Sequence, residues 1–274
     1  MSEHVYDLAK KHHSVRKFKP NAIDRDIVRK LIEAGQMAST SSFLQTTSVI
    51  GVEDLEKKES LREVSGQPYV VENGYLLVFV IDYHRHKLVS QKQDAELESS
   101  FETAEGLLVG TVDAALMAQN IALTAEDMGY GIVYLGSLRN DVERVREILG
   151  LPEYTFPLFG MAIGEPAEDE NGAPKPRLPL DHVFHIDEYE REDQKLAEQI
   201  EAYDETVSNY YKRRTNGERT ETWSEQIAQF MGSKQRLEML EWLQLSGFNK
   251  NKRLKRKIEF LKWQKCFNIC VKSV

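Results

Sequence analysis

The chain has 274 residues, 41% hydrophobic and 29% charged, a composition that supports a buried core and excludes a disordered chain. Its net charge of −8 hides an asymmetry: residues 249–274 hold seven Lys and two Arg against one Glu, which leaves −16 on residues 1–248 and argues against a nucleic-acid binder. Both cysteines, Cys266 and Cys270, lie in that tail, so a disulfide framework, a Cys-based zinc site and a cysteine nucleophile are excluded from the body.

No apolar run approaches the ~20 residues of a membrane span, and Met1-Ser2-Glu3-His4 does not begin a basic-then-apolar leader; a cytoplasmic protein is expected. Val5 to Lys11 reads as a short helix leading into His12-His13-Ser14-Val15-Arg16, where imidazoles, a hydroxyl and a guanidinium offer an anion several donors. Taken alone, a short basic cluster is usually solvated surface. A turn at Lys19-Pro20-Asn21 closes the segment, and Asp24 caps a helix whose apolar positions Ile27, Val28, Leu31, Ile32 and Ala34 run to near Gly35. Ser39, Thr40, Ser41 and Ser42 then precede Phe43-Leu44-Gln45, a pattern whose simplest reading is a capped loop.

Thr47 to Val52 and Tyr75 to Ile81 read as strands, the second apolar enough for burial on both faces. Asp54 to Val64 is a helix between them, ending at Ser65-Gly66-Gln67-Pro68. A polar connection, Asp82 to Ser100, leads to the longest helical pattern, about Glu102 to Gly129, whose apolar residues surround most of its girth and predict burial on nearly all sides. At ~1.5 Å per residue it runs on the order of 40 Å, longer than one small core, which predicts that a second subunit covers part of it. Tyr130 to Ser137 is a short strand entering a glycine-bearing turn, Asn140 or Asp141 caps a helix to Leu149, and Thr155 to Gly164 is another buried strand. Pro174 to Pro179 sets Lys175 and Arg177 between prolines, a stiff segment that composition alone assigns to a linker. Leu196 to Tyr211 reads as a helix, Lys212 to Thr220 as an exposed basic loop, and Glu221 to Leu245 as one or two further helices. The alternation indicates an α+β or α/β domain with a helical extension.

Together these features carry a resemblance. His-x-Ser-[Val/Ile]-Arg at 12–16, Ser-Ser-Phe-Leu-Gln at 41–45, Gly-Gln at 66–67, Leu-Leu-[Val/Leu]-Gly-x-[Val/Ile]-Asp at 107–113, Tyr-x-Gly-x-Leu-Arg-Asn at 134–140, Pro-Leu-Phe-Gly at 157–160, Lys-Pro-Arg-Leu-Pro at 175–179 and Thr-Trp-Ser at 222–224 occur in order. From about residue 4 to 248 the chain resembles the NADPH-dependent nitroreductase and flavin reductase group of the nitroreductase superfamily, the oxygen-insensitive, FMN-containing type. The resemblance implies an α+β fold with a central mixed sheet flanked by helices around a long buried helix, a helical excursion at about 190–248, and a homodimer with FMN at the subunit interface.

It also implies roles. His12 and Ser14, with Lys175 and Arg177, would cradle the FMN phosphate, which wants cations and a hydroxyl. His13 and Val15 complete the opening stretch, and Arg16, about 13 Å along an extended chain, would reach the pyrimidine edge of the ring and stabilise the charge that gathers there on reduction. Thr40, Ser41 and Gln67 would contact ribityl and ring. Tyr134, Leu135, Gly136 and Ser137 would pass the ring with backbone N–H groups toward N5 and O4. Thr40 stands where the family commonly has serine, and Ser137 where it often has glycine. Arg214 and Arg219 fall where the family holds the 2′-phosphate of NADPH, although a basic loop read without the resemblance is usually a solvated face.

No G-x-G-x-x-G follows a strand, so the nicotinamide would stack on the flavin and leave before the acceptor binds, a ping-pong cycle with no catalytic His or carboxylate. His84, His86, His182 and His185 match no metal-ligand spacing, and no metal is expected. The expected reaction is two-electron reduction of nitroaromatics, quinones or free flavin. A reductase of disulfides or peroxides, and a flavin-binding sensor without turnover, are the alternatives. The basic tail 249–274 reads as a basic amphipathic membrane helix or as vector read-through or a shifted frame.

Overall fold

The computed structural model describes residues 4–233 and 236–250, and the expectations for the tail beyond Lys250 lie outside the described residues. The chain forms two compact units, one from Ser14–Asn171 with the chain from Glu238, the other from the chain up to His13 with Gly172–Leu237. The long segment of the second unit runs from Gly172 to Leu237.

In chain order the elements are α1 (His4–Lys11), α2 (Arg25–Gln36), β1 (Thr47–Val52), α3 (Leu55–Ser65), β2 (Tyr75–Asp82), α4 (His84–Gln93), α5 (Glu98–Phe101), α6 (Ala104–Asp127), β3 (Gly131–Leu135), α7 (Val142–Leu149), β4 (Thr155–Gly164), α8 (Asp193–Arg214), α9 (Trp223–Gly232) and α10 (Met239–Leu245). The sheet order is β1-β2-β4-β3. The fold is α+β as expected, but every pairing among the described residues is antiparallel, so the sheet is not mixed. Neighbouring strands run in opposite directions wherever they pair, and no parallel crossover pair forms.

β2 is buried on both faces, because its alternate side chains enter two cores. Leu77 and Phe79 pack with Leu31, Ala118 and Ile121 from α2 and α6, whereas Leu76, Val78 and Val80 pack with Leu61, Leu138 and Val145 on the opposite side. The helices start where carboxylates can cap them: Asp24 accepts from Asp26 N–H, Asp54 from Lys57 N–H at 2.9 Å, and Asp141 from Arg144 N–H at 2.9 Å.

α6 approaches the sheet through small residues. A Cβ at Gly110 would lie 2.4 Å from Ile81 Cγ2, so only glycine permits this contact. The expectation of burial on nearly all sides is corrected within the single chain: Gly106, Gly110, Asp113, Ala114 and Ala118 face inward, while Leu108, Val112 and Leu116, four residues apart, form an exposed stripe. α6 is also long and apolar enough, by length and composition, to cross a membrane, contrary to the reading that no run qualifies. Its inward face belongs to the sheet core.

The polar connection Asp82 to Ser100 contains α4 and α5. Local pattern misses α4 because His84–Gln93 has almost no apolar face. It is held by tertiary partners: Arg85 donates to Thr47 O at 3.2 Å and Lys87 pairs with Glu153 at 3.0 Å. In the other unit, Lys212, Arg213 and Arg214 are the last turn of α8 rather than loop, a position where cations suit the helix dipole.

Candidate functional site

Ser14, Val15 and Arg16 run beside β3. Val15 N–H donates to Ile132 O at 2.9 Å, and its side chain is buried against Gly131, where a Cβ would come within 2.5 Å of Val15 Cγ2. Val15 is therefore the anchor of the stretch, and its side chain belongs to the core. Arg16 is exposed, and among the described residues its guanidinium donates only to Ser14 O, at 3.2 Å. The nearby acids are engaged elsewhere: Asp169 takes Lys17 Nζ at 2.6 Å, and Glu170 Oε2 accepts the backbone N–H groups of Arg16 at 3.0 Å and Lys17 at 2.9 Å.

β3 carries the next group. Leu135 is buried in the core, while Tyr134, with its ring largely covered and 37% of its surface exposed, donates its hydroxyl to Gln119 Oε1 at 3.3 Å. Burial pushes the Tyr134 phenol well above its ordinary value, with Glu126 adding to the shift. After Gly136, the Ser137 hydroxyl meets the Ser65 hydroxyl at 2.6 Å. Ser65 ends α3, Gly66 follows in the left-handed conformation at φ 69°, and Gln67 comes next. The structure thus brings Gln67, Tyr134–Ser137 and Ser14–Arg16 to the β3 side of the sheet.

Thr40 and Ser41 belong elsewhere. They precede β1 in a loop in which Ser42, Phe43 and Gln45 all have positive φ, 48°, 59° and 54°. Ser41 N–H donates to Asp113 Oδ1 at 3.0 Å, and His86 Nε2–H donates to Leu44 O at 2.9 Å. β1 and β3 are the two outer strands, three strand spacings or about 14 Å apart. Along the strands Thr47 is level with Ile81 whereas Ile132 is level, through Ile163, with Tyr75, which adds about 20 Å. One chain does not bring Thr40 and Ser41 to Ser14–Arg16.

In the other unit, Lys175 and Arg177 are exposed, and Arg177 Nη1 donates to Lys175 O at 3.0 Å. Tyr203 fixes the segment by donating to Pro176 O at 3.0 Å. Both cations border a cleft of about 690 Å³ whose walls include Tyr203, Tyr210, Tyr211 and Trp223. Arg214 donates to the Tyr210 hydroxyl at 3.3 Å; Arg219 lies 4.1 Å over the Tyr211 ring and pairs with Glu221 at 3.3 Å. Arg214 has no carboxylate partner among the described residues, and Arg219 has one. His12 and His13 are half-buried, and His13 Nδ1 donates to Lys11 O at 3.3 Å.

Sequence reasoning missed Ser65, His86 and Asp113. Asp113 stood in a quoted motif, and the signal was a carboxylate amid the apolar residues of a long helix, which needs donors if it faces inward. No group of three or more His, Cys, Asp or Glu side chains converges as metal ligands among the described residues.

Residues 9–165 match the Nitroreductase family, and residues 175–251 match the Nitroreductase family, C-terminal domain. An NADPH-dependent oxidoreductase of Staphylococcus aureus (strain MSSA476) is 67% identical over 247 residues, 90% of this chain and 98% of its own. The structure of B. megaterium NfrA1 superposes with a TM-score of 0.88 at 40% identity, covering 90% of this chain and 100% of that one. The NADPH:FMN oxidoreductase from Vibrio harveyi, complexed with NAD+, gives a TM-score of 0.79 at 37% identity, covering 90% and 99%. With its antiparallel sheet around a long central helix and a match across both parts of the chain, this protein belongs to the nitroreductase family.

Proposed function

We propose that the chain is an NADPH-dependent FMN oxidoreductase that acts as a homodimer and reduces nitroaromatics, quinones or free flavin two electrons at a time. The observation that carries this reading is the division of the expected cofactor residues between the two edges of one sheet. A two-fold partner would set Thr40 and Ser41 of one copy beside Ser14–Arg16 of the other, as an isologous interface requires. The exposed Leu108, Val112 and Leu116 stripe supplies an apolar surface for that contact.

The donor set fits FMN. His12, Ser14, Lys175 and Arg177 have the cations and hydroxyl that a phosphate monoester needs, Thr40 and Ser41 offer hydroxyls, and Gln67 an amide. When bound, FMN supplies a ring that takes hydride at N5 from the nicotinamide and passes electrons to the acceptor. Arg16, free of carboxylates, would hold positive charge at the pyrimidine edge. Arg214 and Arg219 would hold the 2′-phosphate of NADPH. Residues 1–248 would form the functional unit, in the cytoplasm, with residues 249–274 a basic tail of non-native origin. The names of the relatives at 67% and 37% identity support donor and cofactor.

The visible spectrum of purified protein before and after NADPH tests cofactor, donor and turnover together. A flavin spectrum that NADPH bleaches and a quinone restores is expected. A colourless protein that stays colourless after incubation with FMN would overturn the reading. Bound flavin that NADPH does not bleach would favour the sensor, and bleached flavin reoxidised only by a disulfide or peroxide the other reductase.

A further inference from the structure

We propose that Asp113 is a positioning residue for the cofactor, acting through the Thr40–Thr46 loop that it fastens at both ends. This rests on the FMN reading and names the part of the fold that shapes one half of its site.

Asp113 lies on the inward face of α6 with 2% of its surface exposed. Its Oδ1 accepts Ser41 N–H at 3.0 Å; its Oδ2 accepts Thr46 N–H at 3.3 Å and the hydroxyl of Thr46, which is fully buried, at 2.9 Å. No Lys, Arg or His lies within ion-pairing distance among the described residues, so three neutral donors of one loop satisfy a buried carboxylate. Such a group is costly to bury unless those donors stay in place.

Between the two attachment points the backbone takes an unusual path. Ser42, Phe43 and Gln45 are in the left-handed region, which side chains other than glycine enter at a cost. Three such residues within four positions persist only where the surroundings over-determine them. Asp113 supplies both ends and His86 the middle, through its bond to Leu44 O, with the His86 ring 5.1 Å from that of Tyr83. The loop therefore displays Thr40 and Ser41, with Phe43 81% exposed at its tip, in a shape that its own sequence does not favour. Asp113 contacts no ligand itself.

Asp113→Asn tests this with little change of volume. An amide puts an N–H₂ where one carboxylate oxygen accepts, so donor meets donor at Ser41 or at Thr46. Thr46→Val, which deletes one of the three bonds, is the milder companion. Two measurements are made on full-length protein: amide hydrogen exchange of the 40–47 peptide without FMN, and the FMN dissociation constant by quenching of flavin fluorescence. Asp113→Asn is expected to speed exchange in 40–47 and weaken FMN binding, each by about tenfold or more, while exchange in β4 stays as in the wild type. Thr46→Val should move both in the same direction by less. Unchanged exchange in 40–47 in both variants overturns the fastening role. Faster exchange with an unchanged FMN constant overturns the link to the cofactor. Faster exchange in Asp113→Asn throughout β4 as well means a general structural role and also overturns the proposal, unless Thr46→Val shows the loop-confined effect. Wild-type protein that binds no FMN overturns the functional reading instead, leaving the exchange result to decide the fastening.

Discussion

The hydroxyls of Ser65 and Ser137 meet at 2.6 Å and tie the end of α3 to the turn that follows β3. Ser65 is almost fully buried, so removing its partner leaves a polar atom with no water to replace it. Serine at 137 thus has a structural use here. Ser137→Ala is expected to cost about 1 kcal/mol, a fall in Tm of roughly 2–4 °C for a chain of this size. A double-mutant cycle with Ser65→Ala in thermal unfolding checks it, and strictly additive effects would remove the coupling.

Under the proposed function, the opposite-edge arrangement would make dimerisation a condition for holding FMN. Val112 sits in the exposed stripe of α6, where a charge would not disturb the core of one subunit. Val112→Glu is expected to give a folded monomer by sedimentation at micromolar concentration, with loss of bound flavin. A flavin-replete monomer would separate dimerisation from cofactor binding.

Among the described residues no carboxylate pairs with the Arg16 guanidinium. Arg16→Ala is expected to lower the reduction potential of bound flavin by about 30 mV or more, since ~1.4 kcal/mol corresponds to 30 mV for a two-electron couple. Spectroelectrochemical titration measures it. An unchanged potential with weakened FMN binding would move Arg16 to the phosphate.

Arg214 and Arg219 differ in what already holds them. Arg219 lies over the Tyr211 ring and beside Glu221, whereas Arg214 donates to the Tyr210 hydroxyl and has no carboxylate partner among the described residues. Arg214→Ala is therefore expected to raise the KM for NADPH about tenfold, the worth of one charge-assisted contact, with little change for NADH. Steady-state kinetics with both donors decides, and equal effects on the two would remove the phosphate contact.

Glu53 gives an acid-side prediction. Its carboxylate accepts from Arg25, including a close Nη2 contact, and from the Tyr75 hydroxyl at 2.7 Å. The Arg25 bond, then the Tyr75 bond, pull Glu53 from 4.5 down to about 2, and burial with the Glu53 contact pushes Tyr75 up to about 12. A depressed carboxylate contributes stability that is present above its unfolded value and is lost as pH falls through the folded value. The loss should fall between about pH 4.5 and 2, and be small because the pair is solvated. Glu53→Gln should flatten Tm against pH in that window alone; an unaltered profile would show that the pair contributes nothing.

Periodicity and capping chemistry determine much of the fold from the chain alone. The limits of β1 and β4, the two-faced burial of β2 and the cap at Asp24 all follow from residues within a few positions of one another, whereas the structure makes Asp54 a cap and chooses Asp141 over Asn140. The ordered motifs likewise mark most of the candidate site. What the tertiary structure decided is different in kind. Ser41 and Asp113 are 72 residues apart, as are Ser65 and Ser137, and no local pattern reports a contact over that separation. α4 is tied by Arg85 to Thr47 O, by His86 to Leu44 O and by Lys87 to Glu153, all distant in sequence, rather than by an apolar stripe. The assignment of Thr40 and Ser41 to one sheet edge and Ser14–Arg16 to the other depends on strand order, which the periodicity of individual strands does not encode.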